Sequence, residues 1–153
     1  MKPEILYALI SLAIFTLYVG GVWIKYGVRK SISDSYYFIK HKPLFTLALW
    51  GFSIFAIFSL PNIWMMLACA GIGFVGAAPD FRIKMQGDVH YIAAVSGIFF
   101  GAIALWSIGY WYLTALMAIG ILILEFYAKN KTWWQEVLAF YMILFVAILK
   151  SIL

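Results

Sequence analysis

Residues 43–79 read PLFTLALWGFSIFAIFSLPNIWMMLACAGIGFVGAAP, two apolar runs hinged at Pro61-Asn62 with no charged side chain in either run or in the turn. Each run is long enough to cross roughly 30 Å of hydrocarbon as a helix rising about 1.5 Å per residue, so the pair reads as a transmembrane hairpin. The same pattern recurs on both sides of it. Apolar runs at about 5–26, 43–60, 62–79, 89–107, 109–126 and 133–152 predict an all-α bundle of six transmembrane helices. Runs four and five form a second tight hairpin at Ile108-Gly109. The first run is too long for a signal peptide and has no small-x-small cleavage site after it, so it reads as a retained span.

Composition agrees. The chain of 153 residues is 66% hydrophobic and 20% aromatic but only 11% charged, against about 25% charged in soluble domains. The expectation is a single integral membrane domain over 1–153, in contact with membrane lipids. Cys69 lies inside an apolar run, where a small packing role fits it and no intrachain disulfide is possible. The net charge of +5 is dispersed through short loops beside apolar segments, which indicates topology and not nucleic-acid binding. Lys25, Arg29, Lys30, Lys40, Lys42, Arg82, Lys84, Lys129 and Lys131 flank the first, third and fifth loops, whereas Lys2 and Lys150 fall on the other side. This bias puts both termini outside and three polar segments, Ser31 to Tyr37, Pro79 to His90 and Thr132 to Glu136, together at the cytoplasmic ends. The four prolines lie at span ends and no Asp, Glu, Lys or Arg lies mid-span, features that favour a site at one face over a transport path.

Helical spacing indicates which polar groups point inward. His90 heads a line of small residues, Ala94, Gly97, Gly101 and Ala104, of the kind that packs against a neighbouring membrane helix. Span three, through Gly73 and Gly76, is the expected partner, and Asp80 continues the line Cys69, Gly73, Gly76. Glu136 shares a face with Ala139, Ile143 and Ala147.

Each polar residue has a structural reading beside a functional one. Asp88 precedes Val89 and His90 as an N-cap would. Glu136 can serve the first turn of span six, behind the capping-box pattern Thr132-x-x-Gln135. Glu125 can pair with Lys129, and Asp80 with Arg82 or Lys84. His90 can be a buried histidine bonded to a carboxylate or carbonyl, or a neutral imidazole able to accept a proton or bind a metal. The functional reading joins Asp80, His90 and Glu136 as candidate catalytic or metal-binding groups, with Ser31, Ser33, Tyr37 and Asp88 as binding residues around them.

Ser31-Ile32-Ser33-x-x-Tyr36-Tyr37, then His90-x-x-x-Ala94 with Phe99-Phe100 downstream, then Glu136 followed by Phe140, resembles the pattern of a group of uncharacterised bacterial multi-span membrane proteins. That likeness implies a bacterial cytoplasmic membrane and carries no activity with it. More distantly, the chain is similar to the alkaline ceramidase and adiponectin-receptor superfamily, whose serine, aspartate and histidines at one membrane face hold a catalytic zinc. The superfamily has seven spans and a His-x-x-x-His pair, which this sequence lacks. The resemblance implies a divalent metal such as zinc on His90, Asp80 and Glu136, and an intramembrane hydrolase or lipid-modifying enzyme. Binding or transport of a small solute or lipid head group, and a purely structural role, are the alternatives. Single cysteines placed at Gly27 and Gln86 should be shielded from an impermeant thiol reagent in intact cells while cysteines at either terminus react. The opposite labelling pattern would invert the topology.

Overall fold

The computed structural model describes residues 2–80 and 82–153 and is all-helical, with no strand among those residues. Six helices occupy the six apolar runs: α1 (Pro3–Tyr26), α2 (Pro43–Ser59), α3 (Ile63–Ala77), α4 (Lys84–Ser107), α5 (Trp111–Tyr127) and α6 (Lys131–Ile152). A 3₁₀ turn, Ser33–Tyr37, lies in the loop between α1 and α2. Helices α1, α4 and α6 are long and apolar enough to cross a membrane, whereas α2, α3 and α5 are shorter.

Local chemistry sets the helix ends. Pro43 opens α2 at a position where its missing N–H costs nothing, and Asn62 caps α3 by accepting the Met65 N–H at 2.8 Å. Gly27 closes α1 and Gly109 turns the α4/α5 hairpin, both at positive φ that a side chain would strain. Helix α4 begins at Lys84, about a turn earlier than its apolar run suggests. Asp88 therefore sits inside the helix with an exposed side chain and is not an N-cap.

The helices close into a ring. Helix α1 packs on α2 and α6, α2 on α3, and α3 most closely on α4, while α5 leans chiefly on α6 and only lightly on α4. At the centre, Phe15 of α1 stacks on Phe140 of α6 at 4.6 Å between centroids, and Phe52 of α2 lies 4.7 Å from Phe140. Interhelical polar ties supplement this core. Ser11 donates to the Phe52 carbonyl, Thr46 to the Gly76 carbonyl and the Trp50 indole to the Gly73 carbonyl. The outward surface is apolar, with Ile24 88% exposed, Phe126 79% and Leu17 76%. Side chains of this kind over the whole perimeter need hydrocarbon around them, and the protein is an integral membrane protein.

The α3/α4 contact corrects the expected glycine pairing. Gly97 does meet α3, but its neighbours are Ala68 and Ile72, and Gly71 is the residue that approaches it. A Cβ on Gly71 would lie 2.7 Å from the Ala93 carbonyl oxygen and 2.9 Å from the Gly97 nitrogen. Gly101 meets Ile143 of α6 and, at 3.9 Å, Ala68 of α3, Gly76 meets Leu49 and Trp50 of α2, and a Cβ on Gly73 would meet nothing within 4 Å. The Cys69, Gly73, Gly76 line is thus not the face that meets α4; that face runs through Ala68, Gly71, Ile72 and Val75. Gly71→Ala should lower the melting temperature in detergent, because backbone atoms cannot give way, whereas Gly73→Ala should leave it unchanged or raise it. Equal behaviour of the two variants would contradict this crossing.

Candidate functional site

The loop between α1 and α2 folds back into the bundle instead of lying over it. Ile32, Ser33 and Ser35 are buried. Ser35 donates to the Ile32 carbonyl at 2.5 Å and shares a 2.5 Å bond with the Tyr18 hydroxyl, so the turn is fastened to α1. The Ile32 N–H donates to Glu136 Oε2 of α6 at 2.5 Å. Trp133 N–H donates to the Lys30 carbonyl, and the Asn130 amide to the Val28 carbonyl. These bonds hold the first polar segment against the start of α6, at the basic end of the bundle.

A cleft of about 490 Å³ lies beside this junction. Its walls come from the loop (Lys30, Ser31, Ser33, Asp34), α4 (His90, Ala94, Ile98), α6 (Thr132, Gln135, Glu136) and Ile121 of α5. Tyr91 and Val95, 61% and 68% exposed, also line it, so the mouth gives onto the lateral surface that faces lipid. The gap exists because α5 rests on α6 and stands off from α4. Deeper in, a narrow apolar cavity of about 40 Å³ runs between Leu49, Ile72, Val75 and Ile143. Ser33, Ala94, Ile98 and Glu136 wall both spaces, which places the carboxylate where polar cleft meets apolar interior.

His90 and Glu136 thus line one cleft with Ser31 and Ser33. His90 is 2% exposed, and its Nδ1 lies 2.9 Å from the Ala78 carbonyl oxygen at the end of α3. A carbonyl only accepts, so Nδ1 carries a proton and donates it to Ala78. Glu136 sits in the second turn of α6, and its partner is the loop N–H, not its own helix end.

The other expected members lie elsewhere. Asp80 accepts the Tyr37 hydroxyl at 2.9 Å, and neither residue lines the cleft. The same hydroxyl accepts the Arg82 N–H at 3.1 Å, and the Arg82 guanidinium stacks over the Tyr37 ring at 3.7 Å. Tyr37, Asp80 and Arg82 therefore make a latch between the first and second polar segments. Burial pushes the Tyr37 phenol above its ordinary value, and the bond to Asp80 pushes it further the same way. Asp88 is exposed on α4 and does not line the cleft. Glu125 pairs with Lys131 instead of Lys129, because α5 and α6 bring Lys131 and Gln135 to the same carboxylate.

Among the described residues no three His, Cys, Asp or Glu side chains gather into a group that could hold a metal ion. With Asp80 held by Tyr37, the expected zinc set of His90, Asp80 and Glu136 is not assembled. Two donors, one of them engaged by a backbone N–H, do not fit a zinc site that requires three protein ligands.

Lys30, Asp34, Thr132 and Gln135 are cleft residues that sequence reasoning did not select as site members. A signal was present for two of them: Thr132, Gln135 and Glu136 share a helical face at spacings of three and four. Asp34 lay within the polar segment Ser31 to Tyr37 without being singled out, and Lys30 carried no signal, since the inward fold of their loop depends on a bond between residues 104 positions apart. Comparison with protein-family models, curated proteins and solved structures finds no match.

Glu136 is the hinge of this geometry, and its substitution is informative. Glu136→Ala leaves the Ile32 N–H buried without its acceptor and should cost about 1–3 kcal/mol. Glu136→Gln keeps a carbonyl acceptor at the same reach and should lose less than half of that. Thermal unfolding in detergent distinguishes them; equal losses would show that the bond to Ile32 is not what holds the loop.

Proposed function

We propose that the protein lies in a bacterial cytoplasmic membrane with its termini outside and takes the head group of a membrane lipid into the cleft between the α1/α2 loop, α4, α5 and α6. The observation that carries this reading is the graded wall: hydroxyls and carboxylates at the basic end, then the apolar cavity beneath Glu136. An amphipathic molecule entering sideways from the bilayer meets polar surface with its head and apolar surface with its chain. The head-group chemistry follows from the wall. Asp34 and Glu136 accept hydrogen bonds, as do the hydroxyls of Ser31, Ser33 and Thr132, with Lys30 as the lining cation. Such a set suits a neutral or zwitterionic head rich in hydroxyl, amide or ammonium donors.

Hydrolysis of that lipid is a second reading, favoured by one observation: a glutamate and a histidine line the same cleft. Glu136 can take a proton from water as the water oxygen attacks an ester or amide carbonyl, and can return that proton to the alcohol oxygen or amine nitrogen that leaves as the acyl C–O or C–N bond breaks. The resemblance to lipid-hydrolysing membrane enzymes points in the same direction, without their metal set.

The test is lipid retention by the purified full chain. Wild-type protein should carry a co-purifying zwitterionic or neutral lipid in native mass spectrometry. Ala94→Phe, which fills the junction of cleft and cavity, should lose it with little change in melting temperature. Retention of the same lipid by a folded Ala94→Phe protein would end the binding reading. Incubation with that lipid decides the second one: hydrolysis predicts products that disappear in Glu136→Gln, and bound lipid with no turnover would leave binding alone.

A further inference from the structure

A second groove of about 490 Å³ lies on the other side of the bundle, between α1 and α2. Its α1 wall, Ile14, Leu17, Tyr18, Gly21, Val22 and Lys25, follows one helical face over about 16 Å at 1.5 Å per residue. Leu44, Leu47 and Ala48 of α2 form the opposite wall. Leu17, Leu44 and Leu47 are 76%, 52% and 61% exposed, so this channel is open to lipid. Gly21 widens it, since a Cβ there would meet nothing within 4 Å.

The charge at its basic end separates this groove from the first cleft. Lys25, Lys40 and His41 line it, and no acid does. The Lys40 and His41 side chains make no hydrogen bond or ion pair among the described residues, and the Lys25 ammonium lies 5.4 Å from the Tyr26 ring centroid. The neighbouring cations are differently engaged: Lys42 over the Tyr36 ring and Arg29 over the Phe38 ring. His41 and Lys42 also immediately precede the N-terminus of α2, whose dipole favours an anion. Basic residues required only for topology need no apolar channel beneath them. Here the two occur together, with the charge at the end of the channel where a lipid phosphate lies.

We propose that the α1/α2 groove is a binding site for an anionic diacyl phospholipid, one acyl chain lying along Ile14 to Val22 and the phosphate held by Lys25, Lys40 and His41. The occupant is a lipid and not free phosphate, because most of the groove is apolar and only its end is charged. Each lysine is expected to contribute about a fivefold preference for the anionic over the zwitterionic surface.

The experiment uses the full chain in detergent with phosphatidylglycerol carrying a photoreactive acyl chain, phosphatidylcholine with the same chain, and unlabelled glycerol phosphate as competitor. Phosphatidylglycerol should label α1 and α2 peptides containing Ile14 to Val22 and Leu44 to Ala48 in preference to phosphatidylcholine, and glycerol phosphate should not compete. The double variant Lys25→Gln with Lys40→Gln should weaken that labelling roughly 25-fold, abolishing the preference, with an unchanged melting temperature. Gly21→Leu, which fills the channel and leaves every charge in place, should reduce labelling by both lipids. Equal labelling of these peptides by the two lipids in the wild type would overturn the proposal. So would an undiminished preference in the double variant, or competition by glycerol phosphate as effective as by the intact lipid.

Discussion

The 2.5 Å bond from the Ile32 N–H to the Glu136 carboxylate joins residues 104 positions apart and fixes how the basic end of the bundle closes. A backbone N–H taken below the membrane surface has no water to bond, and leaving it unpaired costs more than a normal hydrogen bond contributes. The inward course of the loop is possible only because α6 supplies an acceptor there. Around that bond the Trp133 N–H, the Asn130 amide and the Tyr18–Ser35 pair add further closure, so α1, its loop and α6 form one unit. The cleft is the space left when α5 follows α6 into this unit and α4 follows α3.

The fold was legible because the bilayer leaves few solutions. Apolar runs of the required length, with prolines and turn residues at their ends, specify the helices and turns through composition alone. The six runs and six helices coincide, apart from the start of α4. There the segment from Lys84 to Asp88 is polar yet helical, and hydropathy does not register a helix that extends beyond its apolar part. The glycine pairing failed for a related reason. Small residues lie on more than one face of α3, and sequence spacing ranks those faces without showing which helix each one meets. Gly71, flanked by Ala70 and Ile72, belongs to no conspicuous line, yet it makes the closest approach.

The site was legible only in part. Helical spacing turned His90 and Glu136 inward, where both line the cleft. Asp80 was grouped with them because it continues the line Cys69, Gly73, Gly76, whereas in the structure it accepts from a tyrosine on another loop and does not line the cleft. That preference has a physical basis. Tyr37 offers an O–H donor with an aromatic face for the Arg82 guanidinium, and one residue thereby engages both the acid and the base. Asp34 and Lys30 reached the cleft through the loop's tertiary bonds, which no local pattern encodes.

The two grooves show how one electrostatic constraint can be used in opposite ways. Cations gather at one end of the bundle, and between α1 and α2, where Lys25, Lys40 and His41 line an apolar channel with no acid beside them, they make its end positive. Between α4 and α5 the same end carries Asp34 and Glu136, and there the inward loop replaces most of the positive charge with hydroxyls and acceptors. The difference traces to Ile32. By binding α6 through its backbone, it holds the segment from Ser31 to Asp34 at the first cleft, while Lys40 and His41, beyond the 3₁₀ turn, line the other groove. A single half-buried carboxylate thus both ties the loop to α6 and sorts the polar residues of one loop between two grooves of different chemistry.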